Sequence, residues 1–304
     1  MDYRAFCENA PSDFPIFFQH WYLDAVCDTG QWHAAIVHKK EEIAGVLPYF
    51  LKKRFFGQYV SMPLLGRFMG PYLLPACRNT RTEVQLLKGL LAQIPDGLLA
   101  YTQDFHYTAA NWLPFYWQGY RQTTRYSYRL DLSSLDAVWK GMTADYRNHK
   151  IKKATERVQI KTDVPLSDLY RLDQAGYSRQ RLKMPYTYPF LERLHSALQE
   201  RGQGRVFAAV DRQNNLMHAA AYLIWDRASA YYLIAGDDPA LRSSGAGILL
   251  TWHCIRYAAE VLHLPCFDFL GSMTPGIARV REQFGAIPCP YLRVRKRWYD
   301  DLIR

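Results

Sequence analysis

The chain has 304 residues, of which 49% are apolar and 22% are charged, and its formal net charge is +10. This composition excludes wholesale disorder and is sufficient for a sizeable core, either in one large domain or in two of about 150 residues. The excess of Lys and Arg favours anionic partners, which include nucleotide phosphates, RNA and the inner face of a membrane.

Signals for export or membrane insertion are not evident in the sequence. No apolar run approaches the roughly 18 residues of a membrane span, and residues 1–15 lack the apolar stretch of a secretory signal. The six cysteines form neither a CxxC pair nor a spacing typical of Cys/His metal ligands. We therefore expect a cytoplasmic protein with reduced cysteines, no transmembrane segment and no metal.

The first half of the chain alternates between helical and strand-like periodicity. Helices are predicted at 14–29, 81–94 and 109–119, and strands are predicted within 32–63 and at 70–74, 97–105 and 121–132. A hairpin turn at 39–42 divides the strands of the segment 32–63. The fold class is therefore α/β, or more closely α+β.

The second half repeats this order of elements. Helices are predicted at 133–158, 166–181, 189–201, 247–262 and 276–285, and strands at 158–164, within 205–236, at 266–272 and at 291–298. Segments 32–50 and 206–224 share one pattern, and both halves end in a helix, a glycine and a strand. Any α/β chain repeats strands and helices. Matching segments of the two halves, however, lie a nearly constant number of residues apart, which favours a duplicated unit with domains at 1–131 and 132–304.

One loop of the second half has the composition of a phosphate site. The strand-like run 230–235 leads to Arg242-Ser243-Ser244-Gly245-Ala246-Gly247, and a helix follows directly. Glycines let the backbone approach a ligand closely, and the free N–H groups of a helix N-terminus attract anions. An ordinary turn whose glycines only permit tight packing has the same sequence, so the residues alone leave both interpretations open.

Strand, Arg-x-x-Gly-x-Gly and helix resemble the pyrophosphate loop of GNAT-type acyltransferases. Three further stretches are similar to the tandem, Fem-like branch of these enzymes: the basic segment 146–160, "FDFLGS" at 267–272 and "ARVREQFGA" at 278–286. The resemblance covers most of 133–297 and, more loosely, 14–130. It implies two tandem GNAT-like domains, each with a mixed, mostly antiparallel sheet flanked by helices.

The resemblance also implies an activity and a donor site. The chain would be an N-acyltransferase or aminoacyltransferase that moves an acyl group to an amine on a cell-envelope or polysaccharide precursor. This small-molecule acceptor would be nucleotide- or lipid-linked. The donor, acyl-CoA or an aminoacyl-tRNA, would place its phosphates on the backbone of Arg242, Ser243, Ser244, Gly245, Ala246 and Gly247. Backbone N–H groups of the strand 230–235 would polarise the acyl carbonyl.

Two departures from the family pattern limit these expectations. The first half has no Gly-x-Gly loop before its helix, so we expect no donor binding there. Arg281 stands where simple GNAT enzymes often have a tyrosine that protonates the leaving thiolate. This substitution leaves room for a donor other than acetyl-CoA, and for a different class of function: a non-catalytic basic protein that binds RNA or an anionic polymer.

Candidate catalytic and substrate-binding side chains surround the loop in the sequence. Asp268, at a strand end, either orients an amine or bonds nearby backbone, and Ser272 is either its hydroxyl partner or a cap. Of Tyr231 and Tyr232 one should face the cleft, and Tyr232 is taken as the catalytic candidate. The basic candidates for binding an anionic substrate are Arg147, Lys150, Lys153 and Arg281.

Overall fold

The computed structural model describes residues 2–271 and 273–298, which fall into two compact units. The first unit comprises Met1–Arg125 and Pro290–Arg304, and the second comprises Tyr126–Cys289. Contacts therefore place residues 126–131 with the second unit and the C-terminal strand with the first. The division into duplicated domains 1–131 and 132–304 stays a prediction.

The first unit is a sheet with helices packed on it. Its helices are α1 (Tyr3–Glu8), α2 (His20–Val26), α3 (Glu83–Leu91) and α4 (Leu113–Trp117). Its strands are β1 (Gln31–Lys39), β2 (Glu42–Arg54), β3 (Gly57–Ser61), β4 (Tyr72–Leu73), β5 (Ala100–Asp104), the start of β6 (Arg121–Asp131) and most of β12 (Ile287–Arg297). The order within this unit is β1-β2-β3-β5-β12, and β4 pairs with β2.

The second unit contains the remaining elements. Its helices are α5 (Leu135–Gly141), α6 (Ile151–Arg157), α7 (Leu166–Arg179), α8 (Tyr188–Glu200), α9 (Ala246–Glu260) and α10 (Pro275–Gln283). Its strands are the end of β6 with β7 (Val158–Thr162), β8 (Gly204–Asp211), β9 (Met217–Trp225), β10 (Ala230–Asp237) and β11 (Cys266–Asp268). The order is β6-β11-β10-β9-β8-β7, and only the β10–β11 pair among these neighbours is parallel.

Each unit has its own apolar core. In the first, α3 packs Leu87 and Leu90 against the buried face of β1 and β2. In the second, Leu250, Cys254 and Ala258 recur along α9 at helical spacing and are fully buried against the sheet. The mixed, mostly antiparallel sheet with flanking helices confirms the predicted fold class.

Two predicted helices are shorter than their periodicity indicates. The segment 14–29 is a 3₁₀ turn at Ile16–Phe18 followed by α2. The segment 133–158 is broken because Met142, after Gly141, takes an extended conformation with ψ 150. A π-helical turn at Tyr146–Lys150 then leads into α6. The extra residue in this turn rotates the basic side chains relative to an ideal helix, so spacing alone does not fix which face they share.

Candidate functional site

The two parallel strands of the second unit separate almost as soon as they pair. β10 and β11 match only at Ala230↔Phe267 and Tyr231↔Asp268. β11 then ends, and Leu270 and Gly271 turn the chain with φ values of 57° and 88°. The β10 residues after Tyr231 have no β11 partner in this register.

β10 is also irregular at the point where the strands separate. Its register against β9 shifts between Tyr232, which pairs with Leu223, and Ile234, which pairs with Tyr222. The extra residue in β10 is a β-bulge, which redirects the local backbone. The separation from β11 and the bulge thus fall within three consecutive residues of β10, Tyr231–Leu233.

The loop after β10 brings the chain to the start of α9. A 3₁₀ turn at Arg242–Ser244 ends on Gly245, whose φ of 74° lies in the left-handed region. A Cβ at Gly245 would lie 3.1 Å from the carbonyl oxygen of Lys150, so this position requires glycine for conformation and for space. A Cβ at Gly247 would meet nothing within 4 Å among the described residues. The first turn of α9 is therefore open on the Gly247 side.

Ser244 anchors this loop from inside the unit. Its buried hydroxyl oxygen accepts a hydrogen bond from the N–H of Ala246 at 3.2 Å and lies 2.9 Å from Nδ1 of His218. Nε2 of His218 lies 3.2 Å from Oδ2 of Asp211. The N–H of Gln213, more than any other group, lowers the pKa of Asp211 and keeps it ionised. This buried chain of polar groups positions the turn.

Arg242 and Ser243, in contrast, lie at the surface of the loop. The guanidinium of Arg242 is 53% exposed and donates from Nε to Asp237 at 2.5 Å. Ser243 is exposed as well. Both residues can reach a ligand at the start of α9, but the charge of Arg242 is shared with a carboxylate.

Arg281 lies in an aromatic environment near the bulge. Its guanidinium is 4.6 Å from the ring centroid of Phe269 and 5.5 Å from that of Tyr232. Nε of Arg281 is buried and has no hydrogen-bond partner among residues 2–271 and 273–298, and burial lowers the pKa of this guanidinium. A buried cation whose N–H is unpaired is costly for folding, and an anionic or carbonyl oxygen would satisfy it.

Tyr232 connects this environment to the first turn of α9. Its hydroxyl lies 3.1 Å from Oγ1 of Thr251, which in turn donates to the carbonyl of Gly247 at 2.8 Å. Burial raises the pKa of Tyr232 well above its usual range, so the phenol stays protonated. Of the two adjacent tyrosines, Tyr232 lies on the Arg281 side of β10, whereas Tyr231 donates to Asp226 at 2.9 Å. Both side chains are buried, so which of the two faces the cleft stays a prediction.

Asp268 is fully buried, and its described contacts are internal. Its Oδ1 accepts from Oγ of Ser127 at 2.6 Å and from the N–H of Leu270 at 2.8 Å, while Oδ2 lies 3.8 Å from Nε of Arg129. Of the two interpretations that the sequence allowed, these contacts favour the one in which Asp268 holds nearby backbone. Its proposed partner Ser272 lies outside the described residues.

The basic candidates of the π-helical turn lie behind the loop. Arg147 is half-buried and donates from Nε to the carbonyl of Met142 at 3.1 Å, whereas Lys150 and Lys153 are exposed. The carbonyl oxygen of Lys150 lies beside Gly245, 3.1 Å from where a Cβ would be, so this turn borders the Arg242–Gly247 loop. Sequence reasoning missed Thr251 and Ser127, because their partners lie 19 and 141 residues away. No local signal would have identified them.

Two further searches of the described residues were negative. No helix there is both long and apolar enough to cross a membrane. In the same part of the chain, no group of three or more His, Cys, Asp or Glu side chains is arranged to hold a metal ion.

The comparisons with known proteins agree with this geometry. Residues 145–276 match the family model of the acetyltransferase (GNAT) domain. FemX superposes with a TM-score of 0.71 at 13% identity, over 95% of this chain and 94% of that one. A tandem GNAT protein from the clavulanic acid biosynthesis pathway superposes with a TM-score of 0.56 at 11% identity, over 89% of this chain and 84% of that one. L-PGS from Bacillus licheniformis superposes with a TM-score of 0.57 at 11% identity, over 92% of this chain and 87% of that one. No curated protein sequence matches the chain.

These matches confirm the resemblance seen in the sequence. The second unit contains a GNAT-type acyltransferase domain, and the chain as a whole has the fold of the tandem, Fem-like proteins. Residues 145–276 thus form a GNAT-type domain, which supports the prediction of an acyltransferase.

Proposed function

We propose that the second unit transfers an acyl or aminoacyl group to an amine on a cell-envelope or polysaccharide precursor that is nucleotide- or lipid-linked. The observation that carries this proposal is the separation of β10 from β11 directly before an open helix start. A stretch of β10 without a β11 partner and a helix start left open at Gly247 thus follow one another along the same segment of chain.

The donor's phosphates would lie against the first turn of α9. Gly247 leaves the space in front of this turn unfilled, and Arg242 and Ser243 are exposed beside it. The helix dipole adds a favourable field for a diphosphate or for the phosphate backbone of an RNA acceptor stem. Acyl-CoA and aminoacyl-tRNA both satisfy this chemistry, and both remain donors in the proposal.

The reacting carbonyl would lie along β10 at the bulge. There a backbone N–H of the bulge would donate to the oxygen on which negative charge develops, and Nε of Arg281, which has no partner among the described residues, would be a further donor. The amine nitrogen attacks the carbonyl carbon, the bond from that carbon to the thiol sulfur or ribose oxygen breaks, and the leaving group departs with a proton from the attacking amine. Asp268 would position the amine indirectly, by fixing the turn after β11.

The exposed lysines of the π-helical segment would hold an anionic part of the donor or acceptor. Lys150 and Lys153 are free to reorient toward a phosphate, and Arg147 keeps their segment in place through its bond to Met142. A nucleotide- or lipid-linked amine would supply such an anionic group.

The test is calorimetric titration with coenzyme A and acetyl-CoA of the wild type, Gly247→Asp and Gly176→Asp. Both glycines lie on helices and neither has a neighbour within 4 Å of an added Cβ, so Gly176→Asp controls for the new charge. A carboxylate beside the diphosphate should weaken binding by at least about 100-fold in Gly247→Asp alone, by Coulomb repulsion near a protein surface.

The other outcomes are equally specific. Binding that survives in Gly247→Asp would refute the placement of the donor at α9. A wild type that binds neither ligand would exclude coenzyme A, and aminoacyl-tRNA binding with transfer to an amine would then be measured. Steeply salt-dependent RNA binding without turnover would support the non-catalytic alternative instead.

A further inference from the structure

The turn between β2 and β3 presents two aromatic side chains to solvent. Phe55 is 96% exposed and Phe56 is 83% exposed. Their rings contact each other edge to face, with centroids 5.1 Å apart and an interplanar angle of 87°. Scattered exposed apolar residues are normal in globular proteins, but two adjacent and almost fully exposed phenylalanines at a hairpin tip form a patch that calls for a partner.

The geometry of the hairpin does not explain these residues. Arg54 pairs with Gly57, so Phe55 and Phe56 form the whole turn. Two-residue turns favour Asn, Asp and Gly at these positions, because those residues adopt positive φ easily. Here neither phenylalanine has positive φ, and Gly57, with φ 146°, takes the unusual conformation. The phenylalanines thus contribute neither turn propensity nor core packing.

Cationic side chains flank the tip. Lys53 and Arg54 are exposed and Lys52 is half-buried. The guanidinium of Arg54 lies 5.5 Å from the ring centroid of Tyr59. Acidic residues are absent from the whole segment 43–82. The tip therefore combines an apolar point with adjacent positive charge.

Neighbouring strands bring more apolar groups to the same edge of the first unit. The N–H of Leu99 donates to Gln58 at 2.8 Å, and the N–H of Trp298 donates to Leu99 at 3.1 Å. A Cβ on Gly57 would contact the side chain of Leu99 at 3.1 Å. Trp298 is 60% exposed. Across β2, β3, β5 and β12 this edge thus presents Phe, Leu and Trp side chains next to Lys and Arg.

We propose that this edge binds the surface of a bilayer that contains anionic phospholipids. Phe55 and Phe56 insert among the headgroups and upper acyl chains, while Lys53 and Arg54 pair with lipid phosphates. Trp298 is of the residue type that prefers the membrane–water boundary. A bilayer is favoured because insertion removes the apolar surface of these two exposed rings from water.

The test is co-sedimentation of the full chain with vesicles of phosphatidylcholine, with and without about one-third phosphatidylglycerol. The Phe55→Ser/Phe56→Ser variant removes the apolar point, and Lys53→Glu/Arg54→Glu reverses the charge. The matched charge control is Lys39→Glu/Lys40→Glu, at the exposed tip of the β1–β2 hairpin, which has no aromatic residue. Leu216→Ser is the apolar control, since Leu216 is 52% exposed in the β8–β9 turn.

We expect the wild type to bind the vesicles that contain phosphatidylglycerol and to bind pure phosphatidylcholine at least tenfold more weakly, roughly as expected for a few cations near an anionic surface. Each variant of the tip should lose about tenfold or more, and each control should stay within about twofold. All of these residues are exposed, so melting temperatures should be unchanged.

Several results would overturn the proposal. These are a wild type that does not sediment with anionic vesicles, controls that lose as much affinity as the tip variants, and a Phe55→Ser/Phe56→Ser variant that binds like the wild type. Loss of binding to polyuridylate in the tip variants, with vesicle binding intact, would assign the edge to RNA instead.

Discussion

Replacing Arg281 by methionine should separate binding from folding in the second unit. Methionine fills a similar volume and keeps contact with the rings of Phe269 and Tyr232, but it removes the charge and the unpaired Nε. A buried donor without a partner costs about 1–3 kcal/mol. The cation–π contacts of Arg281 stabilise the fold by about 0.5–2 kcal/mol, and a sulfur–aromatic contact of the introduced methionine would replace part of this stabilisation. The free energy of unfolding should therefore stay the same or rise by about 1 kcal/mol.

The activity should change in the opposite direction. Loss of one donor to a developing oxyanion typically lowers turnover about 100- to 1,000-fold. Urea unfolding of the second unit gives the stability, and release of free thiol from acetyl-CoA in the presence of an amine gives the transfer rate. Arg281→Lys, which keeps the positive charge, should retain a measurable part of the rate.

A paired arginine of the same unit provides the control. Arg129 lies 3.8 Å from Asp268, so Arg129→Met takes a cation away from a fully buried carboxylate. This variant should lose about 1–3 kcal/mol of stability. If Arg281→Met is destabilised as strongly as Arg129→Met, the guanidinium of Arg281 is structural. If Arg281→Met keeps the wild-type transfer rate, its assignment to the reacting carbonyl is wrong.

Gly245→Ala should lower the stability of the second unit by about 2–3 kcal/mol, against about 1 kcal/mol for Gly202→Ala. Both glycines have positive φ, but only at Gly245 would the added Cβ lie close to a backbone carbonyl oxygen, that of Lys150, at 3.1 Å. Equal losses of stability in thermal melts would mean that the backbone of Lys150 moves to make room for the Cβ. Burial lowers the pKa of His195, which lies 2.6 Å from the hydroxyl of Tyr222. The neutral form is favoured in the fold, so stability should be fully present above about pH 6.5 and fall as the pH decreases through the folded pKa. The substitution His195→Gln should reduce the change of the urea unfolding midpoint with pH over this range. An unchanged pH dependence would contradict the assignment of this effect to His195.

The stability cost at Arg281 and the binding role proposed for it have the same physical origin. Proteins keep a strained or unsatisfied group where a ligand will satisfy it, and they compensate elsewhere in the fold. In the second unit the compensation is the buried packing of α9 against the sheet, where Leu250, Cys254 and Ala258 are fully buried. An acyl donor that bonds to Arg281 should therefore raise the melting temperature of the wild type more than that of Arg281→Met.

Much of the fold follows from local sequence. Strand alternation and helical periodicity locate β8, β9, β10 and α9, because these patterns depend only on which face of an element is buried. The run Arg242–Gly247 is recognisable because a strand, a glycine turn and a helix start are all encoded by consecutive residues. The GNAT-type assignment needed no more than this order.

The remaining features depend on contacts between residues distant in the sequence. The sequence allows Asp268 either to orient an amine or to bond nearby backbone, and its buried carboxylate accepts a hydrogen bond from Ser127, 141 residues earlier. Gly245 requires glycine because the carbonyl of Lys150 lies against it, and Lys150 lies in a π-helical turn that periodicity reads as ordinary helix. Packing of separate elements decides which polar groups are satisfied and which, like Nε of Arg281, have no partner among the described residues.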